Sequence, residues 1–240
     1  MTFVVKLSYG AGINSTALLL LMMDWGWEFE AFYVDHECDW PETREYVKMI
    51  NREVHPVTIL TPDFKGFSNL YDYCWEEKVI PLIFQRWCTD RFKLRTIRDY
   101  LREQQPCQVA LGISVDEAHR AKGRKLLMKI ENIFPLIDHE ITRQRCREII
   151  REHGLPLPIK SGCWFCPYQR KSEWERLAKV HPELYDKATA LEARVNEERE
   201  RLGLKPTKLA QHGFGMEELK KISRKQLDLC LEGQCPYCAY

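Results

Sequence analysis

Short apolar runs alternate along this chain with longer stretches in which apolar residues recur at helical spacing. Phe3 to Ser8 reads as a buried strand and Ser15 to Asp24 as a Leu-rich helix. Phe29 to Val34 reads as a second strand, and Pro41 to Glu53 as a helix with proline in its first turn. His55 to Leu60 is a β-branched strand, Thr89 to Glu103 a charged helix, and Cys107 to Ile113 a short apolar strand. Ile133 to Ile137 reads as a further strand, and Thr142 to His153 as a helix stopped by Gly154 and Pro156. Strands alternating with helices predict βαβ units: an α/β fold with a doubly wound, mainly parallel sheet that binds its ligand beyond the strand C-termini.

From Gly154 onward the pattern changes. Pro156, Pro158, Gly162 and Pro167 mark a loop-rich segment around Cys163 and Cys166. Ser172-Glu173-Trp174-Glu175 reads as a capping box opening a helix, and Pro182 to Leu202 as a longer charged helix. We therefore expect an α/β domain over 1–153 and a helical, cysteine-bearing region over 154–240.

The 45% hydrophobic content of the 240 residues supplies a full core, which argues against disorder. A formal net charge of +1 carries no global signal for nucleic acid or membrane, but the charges are clustered. Arg86, Arg91, Lys93, Arg95, Arg98 and Arg102 stand against Asp90 and Asp99, and a second basic run holds Arg120, Lys122, Arg124, Lys125 and Lys129. Such runs suit an anionic ligand or an RNA or DNA face, or a solvated helix surface. The apolar run Ala17 to Met23 is too short to span a bilayer, and no secretory signal is visible. Ten cysteines without an export signal read as thiols, metal ligands or redox groups, which places the chain in the cytoplasm, away from membranes.

The candidate chemistry sits where strands end. After Ser8, the segment Gly10-Ala11-Gly12-Ile13-Asn14-Ser15-Thr16 joins two glycines to a hydroxyl pair that opens a helix. Glycine exposes backbone N–H groups at a helix terminus of partial positive charge, which suits phosphate. Ser15 or Thr16 would cap the helix or donate to a phosphate oxygen. Strand two ends in Asp35-His36-Glu37, and Asp35 would meet a ribose hydroxyl, an adenine amino group or Mg²⁺. The strand ending at Gly112 runs into Ser114, Asp116, Glu117, His119 and Arg120. Cys163/Cys166 and Cys235/Cys238 are C-x-x-C pairs, each able to place two thiolates on one metal.

Together these segments resemble the phosphoadenosine phosphosulfate (PAPS) reductase family of the PP-loop adenine-nucleotide α-hydrolase superfamily. Gly10 to Thr16 resembles its SGGxDST loop, and Asp35 to Thr43 its DTGxxxPET segment. Arg86 to Lys93 resembles its cysteine–basic motif CCxxRK, and Gly112 to Arg120 its G-x-R-x-x-E-x-x-R element. The match spans roughly residues 3 to 170. It implies a Rossmann-like PP-loop fold binding ATP or an adenylylated sulfate (APS or PAPS). Ser8, Gly10, Ala11, Gly12, Asn14, Ser15, Thr16 and Asp35 become the nucleotide-contacting set. Arg91, Lys93, Asp116, Glu117 and Arg120 become the catalytic set, with the three cations neutralising the anion as charge develops.

The resemblance also implies sulfonucleotide reduction or sulfur transfer, and a thiol electron donor or a sulfur donor as partner. The family's adenylyl-sulfate branch binds a [4Fe–4S] cluster, and Cys88, Cys163, Cys166, Cys235 and Cys238 are the corresponding candidates here for iron–sulfur or zinc. Whether Cys235 and Cys238 are ligands, a redox pair or bystanders stays open, as does oligomeric state. Three features depart from the pattern: Asn14 stands for the loop Asp, Ser114 for an Arg, and the terminal Glu-Cys-Gly-x-His is absent. Two alternatives follow: ATP-dependent thiolation or amination of a nucleic-acid base, or a zinc-stabilised nucleotide-binding module without turnover.

Overall fold

β1 (Val4–Ser8) sits inside a six-stranded sheet of order β3-β2-β1-β4-β6-β5, in a computed structural model that describes residues 4–121, 125–127, 129–210 and 215–217. The elements that follow β1 are α1 (Ile13–Asp24), β2 (Phe29–Val34), α2 (Pro41–Glu53), β3 (Val57–Leu60) and α3 (Leu70–Glu76). Next come α4 (Trp87–Thr89), a π-helical segment (Asp90–Leu94), α5 (Arg95–Arg102), β4 (Cys107–Leu111) and a 3₁₀ segment (Val115–Arg120). The remainder is β5 (Lys125–Leu127), β6 (Ile130–Ile133), α6 (Pro135–Asp138), α7 (Arg143–Glu152), α8 (Lys171–Val180) and α9 (Pro182–Arg201).

The chain divides into two compact units. One comprises Met1–Ser68 with Thr89–Gly162, and the other Asn69–Cys88 with Cys163–Tyr240. This differs from the expected division after residue 153 in two respects: the break falls after Gly162, and residues 69–88 belong with the later unit.

In the first unit, β3, β2, β1, β4 and β6 run parallel, and β5 is an antiparallel edge against β6. Strand order therefore reverses between β1 and its neighbours, with Ser8 in register with both Phe32 and Leu111. In an open α/β sheet such a reversal opens a crevice at the strand C-termini. Both faces of the sheet are covered. Leu18, Leu19 and Met22 of α1, Val47 and Ile50 of α2, and Ile149 and Ile150 of α7 pack with Leu7 and Tyr33. On the opposite face Phe32, Val109 and Ile130 meet Leu101 and Ile97 of α5. The alternation of Phe32 and Tyr33 between faces is the period-2 signature of a strand buried on both sides. Helix α1 is buried almost all round, which accounts for its continuous Leu run. Among the described residues no helix is long and apolar enough to cross a membrane.

The observed elements shift several expected boundaries. α1 begins at Ile13, so Gly12 is its N-cap and Ser15 its third helical residue. The strand expected at Ile133–Ile137 lies at Ile130–Ile133, because Pro135 opens α6. The capping box of α8 falls two residues early, with the Arg170 N–H donating to Glu173 Oε2 at 2.7 Å. Phe3 lies outside the described residues.

In the second unit α3, α8 and α9 enclose Trp174, Leu177, Tyr185 and Leu191. Tyr185 donates to the Met216 carbonyl at 2.6 Å, and Glu192 accepts from the Leu209 and Met216 N–H groups.

Candidate functional site

Of the candidate groups of the first unit, the Gly10–Thr16 loop follows β1, Asp35 follows β2, and Asp116, Glu117 and Arg120 follow β4. The loop after β1 turns sharply: Ala11 holds a positive φ of 51°. The N–H groups of Gly10 and Gly12 converge on a single oxygen, Ser15 Oγ, at 3.3 and 3.2 Å, and that hydroxyl donates to the Gly12 carbonyl. These donors stand at the N-terminus of α1, where unsatisfied N–H groups concentrate positive potential. Thr16 is fully buried with its hydroxyl 3.2 Å from that of Tyr9, so it supports the loop from beneath. Ser8 closes β1 directly before the turn.

Two neighbours press on the loop. A β-carbon at Gly112, just beyond β4, would stand 2.7 Å from the Ser15 nitrogen and 2.8 Å from its Cα. One at Gly12 would stand 3.0 Å from Ser161 Oγ. Glycine at 112 is thus required by close approach of two backbones. Ser161, together with the Gly162 carbonyl that accepts from the Trp40 N–H at 3.1 Å, brings a segment into the site that motif reading missed.

The end of β4 builds a polar network on Asn14. The Asn14 amide nitrogen donates to Ser114 Oγ at 3.1 Å and to Glu117 Oε2 at 2.9 Å. Its oxygen accepts from Arg143 Nη1 at 3.4 Å. Glu117 also accepts from Arg120 at 2.7 Å, and Asp116 accepts from the Arg143 backbone N–H at 2.5 Å. Asn14 and Ser114 are buried. An Asp at position 14 would face the Glu117 carboxylate, so the amide and Glu117 form a matched pair. Of the expected catalytic residues, Glu117 and Arg120 meet here, and Asp116 anchors the start of α7. Arg143 was missed because it lies outside the recognised segments; its signal was the N-cap residue Thr142 just before it.

At the end of β2, Asp35 accepts from the Glu37 N–H at 2.8 Å and from Arg44 Nη2 at 2.8 Å. Glu37 adopts φ of 63°, in the left-handed region, at the position where the DTGxxxPET pattern carries glycine. Beneath it lies a cluster that sequence reading passed over. Buried Asp39 accepts from the Tyr33 hydroxyl at 2.5 Å, with His36 Nε2 at 3.3 Å and Lys93 Nζ at 3.7 Å from its other oxygen. The Cys38 N–H donates to His36 Nδ1 at 3.2 Å, which turns the other ring nitrogen, Nε2, toward Asp39. Burial opposes ionisation of Asp39, but Lys93 and His36, with hydrogen bonds from His36 and Tyr33, hold its carboxyl well below the usual range. Burial pushes the Tyr33 hydroxyl up, and the Asp39 charge adds to that shift. Lys93 reaches Asp39 from the π-helical segment, in which Phe92 is fully buried.

The remaining basic residues of the first run are largely spent. Arg95 and Arg102 pair with Asp99 at 3.9 and 3.4 Å, and Arg98 pairs with Asp90 at 3.1 Å. Arg91 stacks 5.2 Å from the Phe64 ring centroid. This balance of charges does not favour an RNA or DNA face on α5. Arg124 lies outside the described residues, as does the Lys125 side chain.

The cysteines Cys88, Cys163 and Cys166 belong to the second unit. Cys163 and Cys166 share one turn, with the Cys166 N–H donating to the Cys163 carbonyl at 3.1 Å. Among the described residues no group of three or more His, Cys, Asp or Glu is arranged to hold a metal ion. Two thiols on one turn form half of a tetrahedral set, and the expected Cys235 and Cys238 lie outside the described residues.

A largely parallel sheet with a glycine loop opening its first helix, flanked by polar loops from the next strands, makes this an open α/β protein whose candidate site lies at the point where strand order reverses. A family model described as the phosphoadenosine phosphosulfate reductase domain matches residues 4–158, and the chain belongs to that family. An uncharacterized protein of Methanocaldococcus jannaschii is 24% identical over 196 residues, which cover 77% of this chain and 46% of that protein. The chain thus spans about half the length of that curated relative. The crystal structure of phosphoadenylyl-sulfate reductase from Candida auris, a phosphate complex, matches with a TM-score of 0.55 at 14% identity. The match covers 67% of this chain and 81% of that one, and it shows a shared fold.

Proposed function

We propose that the chain binds an adenine nucleotide, ATP or an adenylylated sulfate, and carries out sulfonucleotide reduction or sulfur transfer on it. The observation that carries this reading is the convergence of the Gly10 and Gly12 N–H groups on one oxygen position at the start of α1. Ser15 Oγ occupies that position as an acceptor, as a phosphate or sulfate oxygen would; with the anion in place, the hydroxyl turns to donate. Membership of the family supports an adenine nucleotide as the bearer of that anion.

The surrounding residues then have defined tasks. Arg44 and the Glu37 N–H fix the Asp35 carboxylate, which faces the nucleoside. Lys93, held by Asp39, and Arg120, held by Glu117, supply positive charge as a phosphate or sulfite leaves. Arg91 adds to that field. Charges positioned before the reaction need no reorganisation during it, which is where electrostatic catalysis gains its advantage. The electrons or sulfur come from a thiol donor or from this chain's own cysteines.

The test is equilibrium titration of the anaerobically purified full chain with ATP, adenylyl sulfate and PAPS, alongside iron, sulfide and zinc analysis. Saturable binding of at least one nucleotide is expected. No binding to any of the three overturns the proposal.

A further inference from the structure

We propose that Arg143 is a phosphate- or sulfate-binding residue of this site, a proposal that rests on the reading of Gly10–Thr16 as the cradle of a nucleotide anion. Arg143 is the first residue of α7, 129 positions from Asn14 in sequence, yet its guanidinium reaches the first turn of α1. Its backbone is pinned there. The Asp116 carboxylate accepts its N–H at 2.5 Å, and the Thr142 hydroxyl accepts the N–H of Arg145 at 3.1 Å.

The guanidinium itself is barely used. Its side-chain partner is the neutral Asn14 Oδ1, at a long 3.4 Å, and among the described residues it has no carboxylate partner. The other cations around the strand ends each face a carboxylate: Arg44 faces Asp35 at 2.8 Å, Arg120 faces Glu117 at 2.7 Å and Lys93 faces Asp39 at 3.7 Å. The two nearby acids are also spent, Asp116 on a backbone N–H and Glu117 on Arg120 and Asn14. A guanidinium carries five N–H donors in a planar fork suited to two oxygens of a tetrahedral anion.

Asn14 explains the arrangement. As an amide it directs its oxygen to Arg143 without cancelling the charge, where an Asp would have formed an ion pair. The uncompensated guanidinium then adds to the positive end of α1, and both bear on whatever binds the Gly10 and Gly12 N–H groups. Together they select for a multiply charged anion.

The experiment compares the full-length wild type with Arg143→Ala, Arg143→Lys and Gly112→Ala, titrating each by calorimetry with ATP, adenylyl sulfate and adenosine. Arg143→Ala is expected to weaken binding of both charged nucleotides by about 10- to 100-fold. Adenosine affinity stays unchanged, and Arg143→Lys recovers part of the loss. Unchanged nucleotide affinity in Arg143→Ala overturns the proposal. So does an equal loss for adenosine, which marks a structural role. If Arg143→Ala fails to fold, Arg143→Lys decides: retained folding with full nucleotide affinity overturns the proposal, and selective weakening for the charged ligands supports it. In each such case the function proposed above stands, provided the wild type binds nucleotide and Gly112→Ala binds it more weakly. A wild type that binds none of the ligands overturns both.

Discussion

Gly112 lies so close to Ser15 that a β-carbon at 112 would stand 2.7 Å from the Ser15 amide nitrogen, nearer than side chains approach backbone. The end of β4 therefore braces the first turn of α1 from behind, and the loop's N–H groups are aimed by that contact. Gly112→Ala must displace backbone that has no flexible side chain to absorb the strain. We expect a loss of about 1–3 kcal/mol of stability, typical of overpacking, with nucleotide affinity falling further than stability requires. Urea unfolding and nucleotide titration of the variant check both.

Asp39→Asn tests the buried cluster under β2. Its folded-state carboxyl is held below the ordinary value of about 3.9. The resulting stability is present above that ordinary value and is lost as pH falls through it toward the folded value. At pH 7, Asp39→Asn should cost about 3–5 kcal/mol, the range for breaking a buried charge pair. The gap to wild type should narrow in unfolding experiments at pH 4 and pH 3. A constant gap from pH 7 to pH 3 contradicts the assignment.

Asn14 and Glu117 should behave as a matched pair. Asn14→Asp sets a carboxylate where the amide nitrogen now donates to Glu117 at 2.9 Å. We expect a loss of about 1–3 kcal/mol from the unmet hydrogen bond and the repulsion. Glu117→Gln in the same chain restores a donor and should recover most of it. A double-mutant cycle on unfolding free energies measures the coupling.

Much of the fold was legible because the sheet is buried on both faces. Runs such as Phe29–Val34 and Cys107–Leu111 must then be almost wholly apolar, and the glycine loop between β1 and α1 announces itself by composition. The β5–β6 hairpin was hidden by its short strands and irregular register. Residues 69–88 gave no hint that they belong with the later unit, because that association is made by packing. At the site, motif reading found Asp35, Glu117 and Arg120 but not their organisers. Asp39, Arg143 and Ser161 take their roles from what lies against them, and no spacing encodes that. Glu37 is a partial exception: its left-handed backbone is what a glycine at that motif position would have foretold.

In the proposed function the Gly10 and Gly12 N–H groups hold the anionic group of a nucleotide. The most direct measurement is the ¹⁵N–¹H spectrum of the full chain with those two amides assigned, recorded during addition of adenylyl sulfate and, separately, of adenosine. Both amide resonances should move in a saturable way with adenylyl sulfate and stay in place with adenosine. Adenylyl sulfate binding that leaves the two resonances unmoved would rule out that role for the loop.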